Sequence, residues 1–99
     1  MEDTFDPDLL DDDDPFEIDE GNLPHLVGHG FGLTDLWELW EGTPYWSEDE
    51  QHPGRLKLHG PIPGDYLVVP CAASSSGDVH RCRPITIFSV GPPEEGDAE

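Results

Sequence analysis

The first 54 residues hold 17 Asp and Glu and not one Lys or Arg. A segment of one sign cannot neutralise itself, so any compact arrangement of it crowds like charges together. Residues 55–99 carry the other six acids and all four bases, Arg55, Lys57, Arg81 and Arg83. The formal charge is −19, only 34% of residues are hydrophobic, and Gly and Pro contribute 11 each. A chain of 99 residues buries a thin core at best. Low hydrophobicity joined to high net charge leaves the entropy of ordering uncompensated. The expected fold is therefore mostly disordered with a small α+β element: one short amphipathic helix and a three-stranded antiparallel meander.

The same charge restricts partners. Nucleic-acid binding runs on Lys and Arg that displace condensed counterions, and four bases against 23 acids exclude it. An anionic membrane surface repels the chain for the same reason. Basic protein surfaces attract it and speed encounter. A protein imitating the charge of DNA is one form of this idea, but it requires a rigid frame, and the Pro and Gly content argues against one. No apolar stretch approaches the roughly 20 residues of a membrane helix. The acidic N-terminus lacks the basic and apolar regions of a signal peptide. In that context Cys71 and Cys82 read as reduced thiols rather than a disulfide.

Four segments follow from composition. Residues 1–22 read as an acidic disordered tail, in which Asp11–Asp14 sits among isolated Phe5, Leu9, Leu10, Phe16 and Ile18. That alternation is the composition of activation segments, or of a tail that merely solubilises. Residues 23–54 read as a connector, an amphipathic helix and an acidic turn. Residues 55–90 read as a small β-rich region, with strands expected at Arg55–His59, Asp65–Cys71 and Pro84–Val90. Residues 91–99, rich in Pro, Glu and Gly, read as a disordered tail.

Catalytic and metal chemistry find little footing. His25 and His29 are four apart, and His80 and Cys82 two apart, but the paired ligands of a structural zinc site are missing. Cys71 or Ser74–Ser76 with His80 supplies a nucleophile and a base without the walled pocket that would hold them. Phosphate-cradling glycine patterns are absent. The reading is a non-enzymatic protein with no catalytic residue, metal or cofactor.

The most informative segment is residues 33–41. Leu33, Leu36, Trp37 and Trp40 fall at i, i+3, i+4 and i+7, one face of a helix, and Leu39 widens it. Asp35, Glu38 and Glu41 take polar positions. Gly42 and Pro44 end the run. Tryptophans on a short acidic helix suit docking into a groove, with Leu33, Leu36, Trp37 and Trp40 as anchors. The competing reading packs this face on the chain's own strands as a core.

Leu33-Thr34-Asp35-Leu36-Trp37-Glu38-Leu39 fits the pattern L-x-[DE]-L-[aromatic]-[DE]-L. It resembles the first conserved region of adenoviral early transforming proteins. It is also similar to the pocket-binding end of the cellular transcription factors that those proteins displace from the retinoblastoma protein. The resemblance covers this motif only. The family's second motif, L-x-C-x-E, and its zinc-binding C-x-x-C pairs are absent. It implies that Leu33, Leu36, Trp37 and Leu39 insert into a groove of the pocket, with Asp35 and Glu38 facing its basic rim. Ser47-Glu48-Asp49-Glu50 is an acceptor pattern for acid-directed serine kinases, which makes Ser47 a candidate phosphorylation site.

The expected function is that of a monomeric viral-type regulatory protein in the host nucleus or cytoplasm. It binds a host protein of the retinoblastoma pocket family through Leu33, Asp35, Leu36, Trp37, Glu38, Leu39 and Trp40. One alternative is an acidic transcriptional activation module acting on coactivators through residues 5–18 and 33–40. Another is an acidic decoy of DNA that blocks a basic protein surface.

Overall fold

A computed structural model of the chain describes residues 5–28 and 30–90. His29, residues 1–4 and the expected tail at 91–99 lie outside the described residues. The apolar run Tyr66–Val69 builds the central strand, β3 (Asp65–Ala73), because β-branched residues suit a pleated, buried surface. β2 (Leu56–Ile62) pairs antiparallel along its whole length with Asp65–Cys71 of β3, through the Pro63–Gly64 turn. Gly64 takes the positive φ of 81° that this turn needs.

β1 (Tyr45–Glu48) adds to the far side of β2 with Tyr45 opposite His59 and Ser47 opposite Lys57. On the other side of β3 lie β4 (Cys82–Pro84) and β5 (Phe88–Ser89). Between Cys71↔Pro84 and Val68↔Phe88 the register slips by one residue. The extra residue in the 85–87 interval breaks the expected Pro84–Val90 strand and lets Ile87 turn fully inward.

Two helices, α1 (Leu23–Val27) and α2 (Leu33–Glu41), pack on one sheet face. The Asp35 carboxylate accepts the Gly32 N–H at 2.8 Å, satisfying a donor just before the first turn of α2. Gly60 on β2 allows that helix to come close: a Cβ there would stand 2.8 Å from Leu39 Cδ1 and 3.1 Å from Pro44 Cα.

The expectation of a mostly disordered chain is overturned. The described residues form five strands and two helices around one apolar cluster. The three-stranded meander is corrected as well, since β1 lies within the segment read as an acidic turn and the third strand is two pieces. The acidic residues 5–22 are the clearest case. Phe5, Leu10, Pro15 and Phe16 are buried, while Asp11–Asp14 stay exposed. Burying a Leu or Phe side chain gains about 1.5–3 kcal/mol, and carboxylates left in water forfeit little of it.

Hydrogen bonds fix this segment in place. Cys82 N–H donates to the Pro15 carbonyl and Glu17 N–H to the Cys82 carbonyl, both at 2.7 Å, so residues 15–17 run parallel beside β4 and cover that edge. Asn22, 4% exposed, ties the strap down from within. Its Nδ2 donates to the Glu17 carbonyl at 2.9 Å and the Pro84 carbonyl at 2.8 Å, and its Oδ1 accepts the Asp19 N–H at 2.8 Å.

Candidate functional site

Helix α2 occupies the span where the period of apolar residues places it. Its face, however, is divided between two intramolecular contacts. Leu36 and Leu39 are wholly buried among the residues of the sheet and belong to the core. Trp37 and Trp40 are half-buried, and the roof over them is the N-terminal strap. The Phe16 ring meets Trp37 at 5.6 Å and Trp40 at 5.4 Å, edge to face in both cases. Trp40 Nε1 also donates to the Asp12 carbonyl at 3.1 Å. Leu33 is half-buried against the same cluster. Of the proposed docking residues only Glu38 is fully exposed, and Asp35 is occupied by its bond to Gly32.

The strap is held by ion pairs that absorb half of the chain's cations. Arg83 bridges Asp19 at 2.8 Å and Glu17 at 3.1 Å, and Arg81 meets Asp14 at 3.1 Å. The hydrogen bonds from Arg83, joined by the Gly21 N–H, pull the Asp19 carboxyl down to about 2. Burial pushes Glu17 up, but hydrogen bonds from Ser74 and Ser75 and the Arg83 charge outweigh it and leave that carboxyl below its ordinary value.

A second arrangement, absent from the sequence reading, lies on the opposite sheet face. Antiparallel pairing sets Tyr45 over His59, their rings stacked 4.6 Å apart and nearly parallel. The Ser47 hydroxyl lies 2.5 Å from His59 Nε2, and the Tyr66 hydroxyl donates to that of Tyr45 at 3.1 Å. Burial, followed by the nearby Lys57 charge, lowers the His59 pKa. The Tyr45 bond and burial raise Tyr66 to about 12. Ser47 is thus engaged with His59, and a nucleophile–base pair does exist. Among the described residues no group is bonded to His59 Nδ1.

Beside this row is a groove of about 720 Å³, lined by Ser47, Glu48, Asp49, Glu50, Lys57, Pro70 and Phe88 among others. Strand alternation, applied to β1, β2, β3 and β5 together, is what would have placed Tyr45, Ser47, Lys57, His59, Pro70 and Phe88 on one face, had β1 been recognised.

Of the remaining candidates, only the two cysteines are neighbours. Cys71 and Cys82 are buried thiols, and burial raises Cys71 well above the ordinary range, helped by the neighbouring Cys82. His80 Nδ1 donates to the Leu9 carbonyl at 2.9 Å. Among the described residues no three His, Cys, Asp or Glu side chains converge on a metal position. No described helix is long and apolar enough to cross a membrane. No family model, curated protein or solved structure matches the chain.

Proposed function

We propose that this chain is a non-enzymatic binding protein that presents an ordered acidic surface to a basic protein partner, in the manner of a charge decoy. The observation that carries this reading is the frame itself. The objection to a decoy was the lack of a rigid support for its acids. Asp11–Asp14 are instead exposed on a strap fastened by Phe16, Asn22 and two arginines. Because Arg81 and Arg83 are paired internally, the outward surface is more uniformly acidic than composition alone conveys. Such a surface steers association and selects partners by charge more than by buried area.

The test is competition. The chain is immobilised and offered DNA-binding proteins preselected on heparin, with duplex DNA as competitor. Retention should fall as salt rises toward 0.5 M, DNA should compete for it, and the Asp12→Asn/Asp13→Asn variant should weaken it. Retention indifferent to salt and to these substitutions sinks the reading.

A second reading is favoured by the folded helix over Leu33–Glu41. Here α2 engages a retinoblastoma-family pocket protein of the host, as its motif implies. Leu36 and Leu39 must then leave the core, so the strap and helix have to open before docking. Full-length Arg83→Glu, which loosens the strap, should bind a purified pocket domain more tightly than the wild-type chain. Equal absence of binding by both removes this reading.

A further inference from the structure

Residues 74–81 join β3 to β4 and carry the serine run Ser74–Ser76. The Gly77 N–H donates to the Ser74 carbonyl at 3.2 Å, so Ser75 is the second residue of a four-residue turn. It is exposed. It is also the point at which this loop grips the strap. The Ser75 N–H donates to Glu17 Oε1 at 2.9 Å, and its hydroxyl donates to Glu17 Oε2. Arg83 Nη1 reaches the same Oε2 at 3.1 Å. The Glu17 side chain is only 14% exposed, so a charge brought beside it is weakly screened.

The hydroxyl that donates here is also a kinase acceptor by its neighbours. Asp78 follows Ser75 by three residues, as Glu50 follows Ser47. Transfer from ATP forms the bond from Ser75 Oγ to the γ-phosphorus and breaks the bond from that phosphorus to its bridging oxygen. ADP leaves, and the hydroxyl proton passes to the catalytic carboxylate of the kinase. The product carries about −1.5 to −2 charge and no longer donates from Oγ. It therefore repels Glu17 Oε2 where a donor stood, and competes with it for Arg83. Asp19 holds Arg83 through two bonds, at 2.8 and 2.9 Å, so Glu17 is the partner that yields.

We propose that Ser75 is a phosphorylation site for an acid-directed serine kinase, and that its phosphate displaces Glu17 and loosens the strap at residues 15–17. The strap meets β4 there through two bonds, from the Cys82 N–H to the Pro15 carbonyl and from the Glu17 N–H to the Cys82 carbonyl. Phe16, the roof over both tryptophans, lies between them. Phosphate on Ser75 thus acts at the fastening of the strap, whatever partner the chain takes. Ser47 is placed differently: it is half-buried on β1 with its hydroxyl against His59, away from the Glu17 contact.

The experiment uses the full chain, labelled with ¹⁵N and carrying Ser47→Ala to silence the other acceptor pattern, with an acid-directed serine kinase and ATP. Peptide mass spectrometry should place phosphate on Ser75. In the phosphorylated chain the Glu17 and Cys82 amides should exchange with solvent about threefold faster or more, while the amides between β2 and β3 keep their rates. Glu17→Gln removes the like charge, so in that background the phosphate should leave both rates unchanged. If Ser75 takes no phosphate, the site falls. If it does, and the two amides keep their rates or all amides quicken together, the coupling to the strap falls. Acceleration that persists in Glu17→Gln overturns the displacement of this carboxylate.

Discussion

Phe16 and Trp40 meet edge to face, their ring centroids 5.4 Å apart and their planes at 74°. One residue comes from the acidic strap and the other from the helix, so this contact joins the two segments whose roles were read separately in the sequence. The same Phe16 ring also touches Trp37 and is 2% exposed. Phe16→Ala removes the roof from both tryptophans at once. A buried Phe→Ala change costs about 3–5 kcal/mol, a large share of what a domain of this size possesses. Urea unfolding should show the lowered midpoint, and Trp emission should move to the red before the main transition. An unchanged midpoint would show that the strap contributes nothing to the core.

Asn22 makes a different kind of prediction, because its role is entirely polar. It serves the Glu17 and Pro84 carbonyls and the Asp19 N–H from a buried position. Asn22→Leu leaves all three backbone groups without this partner, and each buried orphan costs about 1–3 kcal/mol. The sum should exceed about 2 kcal/mol, a fall in Tm of about 8 °C or more for a chain of this length. Asn22→Asp keeps the acceptor toward Asp19 but loses both donors, so it should be damaging despite its similar shape. Calorimetry of the two variants checks this.

The strap also gives stability a pH dependence with a defined sign. Asp19 ionises at about 2 in the folded chain, against an ordinary 3.8, because Arg83 and the Gly21 N–H hold its carboxylate. A depressed carboxyl stabilises the fold above its unfolded pKa. That contribution is complete above 3.8 and is lost as pH falls through 3.8 toward 2. Glu17 is displaced in the same direction. Arg83→Gln should return Asp19 toward 3.8 in a carboxyl-detected NMR titration. The stability gap between wild type and Arg83→Gln should be widest near neutral pH and close by about pH 2. A gap that persists in acid would place the role of Arg83 in packing rather than charge.

The buried thiols have a chemical signature. Alkylation requires thiolate and access, and burial denies Cys71 both. Iodoacetamide at pH 8 should leave Cys71 and Cys82 unmodified in the folded chain and label both in 6 M guanidinium. Peptide mass spectrometry separates the two outcomes, and rapid native labelling of either residue would contradict its burial.

What could be read in the sequence was what local rules govern. The 3.6-residue period of Leu33, Leu36, Trp37 and Trp40 coincides with α2, and the run Tyr66–Val69 lies in the central strand. Misreadings came where long-range contacts decide. Tyr45–Glu48 carries only two apolar groups amid acids, and its strand state depends on pairing with β2. Average hydrophobicity is a poor guide to residues 5–22, where four inward residues and one Asn suffice to fix the segment. The division of the α2 face, with Leu36 and Leu39 toward the sheet and the tryptophans toward Phe16, follows from a strap that no helical period can reveal. The groove beside β1 was invisible for the same reason as β1 itself.

The approach of α2 to β2 offers the sharpest test of that division. Gly60 faces Leu39 and the Pro44 backbone so closely that an added Cβ would lie 2.8 Å from Leu39 Cδ1. Gly60→Ala should therefore overpack the interface, at about 1–3 kcal/mol. Leu39→Ala alone should cost about 2–5 kcal/mol through the cavity it leaves. In the double variant the new methyl enters part of the space vacated by Leu39. Pro44 Cα, 3.1 Å from the added Cβ, still resists, so the relief is partial. Paired chemical denaturation of the four chains should thus give a double-variant loss smaller than the sum of the singles, by about 0.5 kcal/mol or more. Strict additivity would mean that Leu39 does not rest on Gly60, and that α2 is free of the sheet where its leucines are placed.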